Sequence, residues 1–282
     1  MKRLDLACIA LVVAFGLCTV FLTSPAGCDD VDRSIDEVLT LSGVSKQLDT
    51  LTSAMAAAVP DDAFSSGKTR KEVDRFLEKA AREHPLASKV RYAIKLDLNR
   101  DALYKVLDFY RSRLGRKVGR LQGNALIPSS IQEVREGRHI VASLPRPRAD
   151  VLERIIDAQR VTRANFRLLD QMVNGLADGF LDRGHSEAER IRDQLRYLVE
   201  KAQAADDYMG GLAMAAYART LRDLNDKELN ELAEFNESEP ARWFHDRVQR
   251  GVEEAVYKSA RTLGEAITEA ETPKPSADAA DR

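Results

Sequence analysis

A short sequence pattern occurs twice in this 282-residue chain, 126 residues apart, and it restricts the fold more than any other feature. Residues 97–116 and 223–242 share seven identities at fixed spacing and without a gap. The matching pairs are Asp97 and Asp223, Leu98 and Leu224, Asn99 and Asn225, Leu103 and Leu229, Phe109 and Phe235, Ser112 and Ser238, and Arg116 and Arg242. Matches at one fixed period are the sign of an internal repeat. We therefore predict two related structural units.

Each copy has the pattern of a helix, a break and a second helix. Asn99 and Asn225 are suitable N-caps, since a short side-chain carbonyl accepts a hydrogen bond from a first-turn amide. Glu228, three residues after Asn225, completes a capping box in the second copy. Ser112 and Ser238 are predicted to end the first helix and to cap the next. Apolar residues recur at helical spacing and no convincing strand is present. The predicted fold class is all-α, with two related helical-bundle halves.

The repeated residues also carry a resemblance to a protein family. The segments 98–103 and 109–115 resemble the signature Leu-Thr-x-x-Glu-Leu, then Phe-Tyr-x-Ser-x-x-Gly, of an uncharacterised bacterial family of exported, all-helical domains. The second copy is similar, with Asn236 in place of the tyrosine and Ala241 in place of the glycine. The resemblance implies an exported helical domain of unknown function, and it supplies no catalytic residues.

Composition narrows the classes of partner. Charged residues make up 31% of the chain and aromatic residues only 6%, which favours helices with solvated faces. The formal net charge is −2 at pH 7. Nucleic-acid binding usually needs a basic excess, so we expect no nucleic-acid partner.

The N-terminal segment has the pattern of a bacterial export signal. Lys2 and Arg3 precede an apolar run over 6–23, and small residues at 24–26 fit a cleavage site. An uncleaved anchor is an alternative, because eighteen residues can just span a hydrocarbon core of about 30 Å. Lipidation of Cys28 is a third reading, although proline stands where a lipobox has leucine. All three predict a periplasmic or periplasm-facing protein that contacts the membrane only through this segment.

Candidate ligand-binding side chains are sparse. Two of the three cysteines lie inside the N-terminal segment, so no disulfide or cysteine metal site is expected. The histidines stand singly, without a second ligand at metal spacing, and we predict surface or turn positions for all of them. They are His84, His139, His185 and His245. No cofactor is predicted, and Gly67-Lys68-Thr69 lacks the rest of a phosphate-binding loop.

Proline and glycine punctuation suggests where the units begin and end. The predicted divisions are a signal or anchor at 1–28, copy one at 29–122, a connector at 123–148, copy two at 149–270 and a disordered tail at 271–282.

Copy two has two long apolar seams, over 162–180 and 191–212, with steps near 3.5 residues. They predict an antiparallel helical hairpin. Gly210 and Gly211 interrupt the second seam, and they suggest either a close helix approach or a bend.

Four charged residues recur in both copies and form the candidate site. Asp97 with Arg116, and Asp223 with Arg242, could make a small polar site at each break between helices. The alternative is structural, in which each aspartate bonds a turn amide and each arginine pairs with it or with a helix C-terminus.

No nucleophile, metal set or paired carboxylate indicates an enzyme. The sequence therefore favours a non-enzymatic binding or interaction module of the cell envelope, whose partner would be an unidentified envelope protein. The alternative is a carrier that holds a lipid or other apolar small molecule between its helices.

Overall fold

Every regular element in the described part of the chain is an α-helix, which confirms the all-α prediction. A computed structural model describes residues 30–48, 86–125, 131–182 and 206–271, with residues 71, 75, 189, 190, 192, 193, 196, 197 and 200. The helices are α1 (Asp30–Leu41), α2 (Leu86–Leu96), α3 (Arg100–Arg111), α4 (Arg113–Ala125), α5 (Ile131–Ser143), α6 (Arg146–Ala158), α7 (Val161–Asp182), α8 (Asp206–Thr220), α9 (Asp226–Glu237) and α10 (Glu239–Glu271).

The predicted N-caps begin α3 and α9. The Asn99 side chain accepts a hydrogen bond from Ala102 N at 3.0 Å. Asn225 Oδ1 accepts from Glu228 N at 2.9 Å, and Glu228 Oε2 accepts from Asn225 N at 3.0 Å. The capping box is therefore confirmed.

The predicted serines divide α3 from α4 and α9 from α10. Ser112 Oγ accepts from Gly115 N at 3.0 Å, and Ser238 Oγ accepts from Ala241 N at 3.4 Å. A Cβ at Gly115 would collide with the carbonyl oxygen of Phe109. We call these two breaks, at Ser112 and Ser238, the elbows.

The buried apolar side chains form two clusters. The first is built by α1, α2, α3 and the middle of α10, and Ile35, Ile94 and Leu103 are among its fully buried members. The second is built by α4, α6, α8 and α9, and it includes Leu152 and Leu229. Side chains near both elbows pack against both clusters, so the cores meet there.

Helices that are far apart in the chain pack on each other. α2, which precedes the first elbow, lies against α10, which follows the second. α8, which precedes the second elbow, lies against α5, which follows α4. The backbones approach closely at both contacts, since a Cβ at Gly251 would collide with Val90 and one at Gly137 with Ala215. α5 lies wholly within the range predicted as a connector.

The longest contact joins α7 and α10, which run parallel. Partners advance together along both helices. Gln249 Nε2 donates to Ala164 O at 3.4 Å near one end, and Arg261 pairs with Asp182 at 2.7 Å near the other. Glycines at the contact have no room for a Cβ, and they are Gly175, Gly179 and Gly264.

The predicted hairpin stays a prediction, because most of its second arm lies outside the described residues. No described residue lies within 4 Å of a Cβ built at Gly210 or Gly211, so the described helices make no close approach at these glycines.

The N-terminal segment with Cys28, and the tail beyond Glu271, also lie outside the described residues. Among the helices that can be described, none combines the length and apolar character needed to cross a membrane.

Candidate functional site

The elbows meet through two stacked phenylalanine rings. Phe109, in the last turn of α3, lies face to face with Phe235, in the last turn of α9, with ring centroids 3.5 Å apart and planes at 6°. Tyr110 packs edge-on to Phe235 at 5.7 Å, and its own ring is buried. Burial raises the pKa of the Tyr110 hydroxyl, so it stays neutral. The space between the elbows is therefore filled by aromatic side chains.

Each elbow also reaches the turn before the other repeated helix. Lys117 Nζ, on α4, donates to the carbonyl oxygen of Asp223 at 3.0 Å. Trp243 Nε1, at the equivalent place on α10, donates to the carbonyl oxygen of Asp97 at 3.2 Å. Position 117 plus the repeat length is 243, and 97 plus the same length is 223. The two contacts are thus reciprocal.

Lys117 bonds a side chain as well. Its ammonium lies 2.6 Å from Glu228 Oε2. That hydrogen bond, with the Asn225 amide second, holds the pKa of the Glu228 carboxyl below its usual range. The capping box of one copy is therefore linked to the second helix of the other.

The two aspartates among the four predicted site residues have ion-pair partners other than Arg116 and Arg242. The Asp97 carboxylate pairs with Arg247 at 2.9 Å, and the exposed Asp223 carboxylate lies 3.9 Å from its neighbour Arg222. Arg116 and Arg242 point to solvent, and neither forms an ion pair with its predicted aspartate. It is the backbone carbonyls of Asp97 and Asp223 that take part in the elbow contacts.

A polar cluster lies behind the second elbow instead. The Tyr217 hydroxyl donates to Gln159 Oε1, and Gln159 Nε2 donates to Asn236 Oδ1 at 2.7 Å. Asn236, which is 0% exposed, donates from Nδ2 to Leu232 O at 2.8 Å. His245 Nε2 lies 2.8 Å from Asn236 Oδ1. We call Gln159, Tyr217, Asn236 and His245 the polar cluster.

The hydrogen-bond pattern shows which nitrogen of His245 carries a hydrogen, and burial keeps the cluster uncharged. The Asn236 amide nitrogen is used on Leu232 O, so its Oδ1 is an acceptor, and His245 Nε2 must carry the hydrogen. Desolvation lowers the pKa of His245 to about 4, against the opposing effect of the Asp246 carboxylate. Burial also raises the pKa of Tyr217. At neutral pH the cluster is therefore an uncharged network, in which the phenol, the Gln159 amide and the imidazole donate to the side-chain oxygens of Gln159 and Asn236.

The prediction of a surface or turn position is wrong for His245, which is partly buried in this network. One sequence signal pointed to it. Position 236 is asparagine where the first copy has a buried tyrosine, Tyr110. A polar side chain at a core position needs partners. His139, in contrast, is exposed on α5.

Across the residues that the structure describes, no three histidine, cysteine, aspartate or glutamate side chains lie close enough together to hold a metal ion. No family model, curated protein or solved structure matches the chain. The family resemblance of the two signatures therefore stays a prediction.

Proposed function

We propose that the chain is a non-enzymatic interaction module of the bacterial cell envelope, exported by its N-terminal segment and facing the periplasm. The support is the role of the repeated residues. Asn99 and Asn225 cap helices, Ser112 and Ser238 form the elbows, and Phe109 with Phe235 joins them. Each of these shared side chains has a structural role in the fold, as a cap, a break or a packing contact.

The two repeats, on this proposal, are equivalent units that exchange helices. α2 and α10 form one exchanged pair and α8 and α5 the other. The face-to-face contact of Phe109 with its own counterpart, Phe235, is the arrangement expected where an approximate two-fold axis passes between two copies. The reciprocal donors Lys117 and Trp243 agree with the same axis.

The aromatic stack is the observation that favours a binding surface over a carrier. An apolar cargo between the copies would need the volume that Phe109, Tyr110 and Phe235 occupy. Protein interiors are closely packed, so opening that volume would cost several contacts at once. The filled interface favours recognition through the outer surface.

A photocrosslinking experiment in intact cells tests this function. A benzophenone amino acid replaces Tyr104 on α3 or Lys227 on α9, both exposed on different helices. The proposal predicts a discrete protein adduct from at least one position, absent without irradiation. Native mass spectrometry of freshly purified chain is the counterpart. A stoichiometric co-purified small molecule, with no protein adduct, would support a carrier instead.

A further inference from the structure

Helix α2 presents two large apolar side chains to solvent. Tyr92 is 58% exposed and Leu96 is 73% exposed. They are four residues apart and so lie on one face of the helix. The opposite face carries Leu86, Val90 and Ile94, all buried in the first cluster. We call the outward side, with Tyr92 and Leu96, the outer face of α2.

Neighbouring helices fix this orientation. On one side Arg91 Nε donates to Asp36 on α1 at 2.8 Å, and Lys95 pairs with Asp32. On the other side α2 lies against α10, with Val90 in close backbone contact with Gly251. Rotating the outer face inward would break both contacts.

The outer face lies within reach of the predicted membrane segment. The ion pair of Lys95 with Asp32 places the first turn of α1 beside the last turn of α2. Only the six residues 24–29 separate the apolar run from Asp30, and fully extended they reach at most about 21 Å. A lipid on Cys28 would lie nearer still.

The size of the face argues against a protein partner there. Two side chains of this exposure offer on the order of 250 Å², well below the roughly 800 Å² that each partner contributes to a stable interface. Contact with a bilayer can bury a smaller area, because the tether supplies a high effective concentration and makes a weak contact sufficient.

We infer that the outer face of α2 rests on the lipid surface of the membrane that holds the N-terminal segment. The inference rests on the proposed export by the N-terminal segment, with that segment kept in the membrane or with Cys28 lipidated. A tyrosine beside lysine and arginine stems suits the interface, where an apolar ring and a polar tip are both accommodated. Arg91 and Lys95 are paired with Asp36 and Asp32, so the contact is mainly apolar and little affected by salt.

Tryptophan fluorescence in vesicles provides the test. The full chain, with residues 1–28 retained, is reconstituted in phosphatidylcholine vesicles with or without brominated acyl chains. Trp243 is the only tryptophan, so Trp243→Phe gives a silent background. Tyr92→Trp reports on the outer face. Tyr104→Trp is the matched control, because α3 contacts α1 and α10 as α2 does and lies diagonally across the cluster from it.

We expect brominated lipid to reduce the Tyr92→Trp emission at least about twofold and to leave Tyr104→Trp unchanged. Vesicle flotation separates the outcomes. A chain that floats with the vesicles while both tryptophans respond equally, or neither responds, overturns the lipid contact alone. A chain that does not float overturns the membrane tether, and the lipid contact with it, while the interaction module itself is tested separately by photocrosslinking.

Discussion

The rings of Phe109 and Phe235 stack face to face with their centroids 3.5 Å apart, although 126 residues separate them in the chain. Each ring ends a repeated helix, and each packs against both apolar clusters. Among the described residues, this contact therefore joins the two cores. Removing one ring should therefore destabilise both cores.

Truncating either ring should weaken the whole fold. Phe109→Ala and Phe235→Ala are each expected to lower the free energy of unfolding by about 2–3 kcal/mol, since each leaves a cavity at the junction of the clusters. The double variant should lose less than the sum, with a coupling of about 1 kcal/mol. Urea denaturation followed by circular dichroism measures all three, and Tyr104→Ala is the surface control. Strict additivity of the two losses would show that the rings do not depend on each other.

Two asparagines that make the same local hydrogen bond allow the contribution of the polar cluster to stability to be measured by comparison. Asn236 and Asn230 each donate from Nδ2 to the carbonyl four residues earlier, at 2.8 Å. Asn236→Ala should cost about 2–4 kcal/mol, because Gln159 and His245 then lose their acceptor inside the protein. Asn230→Ala, nearer the surface, should change stability by less than about 0.5 kcal/mol. Equal effects in denaturant titrations would mean that the cluster adds nothing to stability.

Stability should fall between pH 7 and pH 5. The folded state keeps His245 neutral, with a pKa of about 4 against an ordinary value of 6.5. Below pH 6.5 the unfolded chain takes up a proton that the folded chain refuses, so stability decreases as pH falls towards 4. The full shift corresponds to about 3 kcal/mol, and partial exposure of the ring makes about 1–2 kcal/mol the expected loss.

His245→Gln isolates that contribution, since the glutamine amide can still donate to Asn236 and does not titrate. Its stability should change less between pH 7 and pH 5, whereas His139→Gln on the exposed side of α5 should keep the original slope. Glu37, Glu228 and Glu237 have lowered pKa values through bonds to Arg111, Lys117 and Arg154, respectively. Their stabilisation is lost only below about pH 4.5, outside this window. If His245→Gln keeps the original dependence of stability on pH, His245 does not cause the predicted loss.

Two helical glycines should respond to alanine with opposite signs. A Cβ at Gly179 would overlap the carbonyl oxygen of Arg261 on α10, so Gly179→Ala should destabilise by about 1–3 kcal/mol. At Gly211 no described residue lies within 4 Å of a built Cβ, and Gly211→Ala should stabilise by up to about 1 kcal/mol through helix propensity. Thermal unfolding of both variants measures the difference. A neutral Gly179→Ala would show that α7 and α10 can separate at little cost.

Local features of the fold were predictable because their causes lie within a few residues. The caps at Asn99 and Asn225 and the breaks at Ser112 and Ser238 depend on side chains three residues from the amides that they bond. Helical spacing of apolar residues gave the fold class for the same reason.

The packing partners were not predictable in this way. Gly137 has the residue type of a break, yet it lies inside α5, where it allows close contact with Ala215 on α8. Periodicity shows that a helix has an apolar face, but it does not show which helix covers that face. The contacts of α2 with α10 and of α8 with α5 depend on such long-range pairing.

The candidate site shows the same limit. Repetition pointed to the carboxylates and guanidinium groups of Asp97, Arg116, Asp223 and Arg242, whereas the elbow contacts use the two aspartate backbone carbonyls. Every residue has a backbone carbonyl, so residue type does not show which carbonyls accept these hydrogen bonds. The polar cluster was missed because its members come from α8, α9, α10 and the end of α6, and only the fold brings them together.

Cutting the chain between the repeats tests most directly whether the helices on either side of the cut depend on each other for stability. A protease site inserted between Leu144 and Pro145, at the junction of α5 and α6, leaves α2 and α10 in different pieces, and likewise α5 and α8. After cleavage, the account predicts that both pieces elute together in size-exclusion chromatography and unfold in one urea transition. Two pieces that elute separately, each with its own cooperative transition, would contradict it.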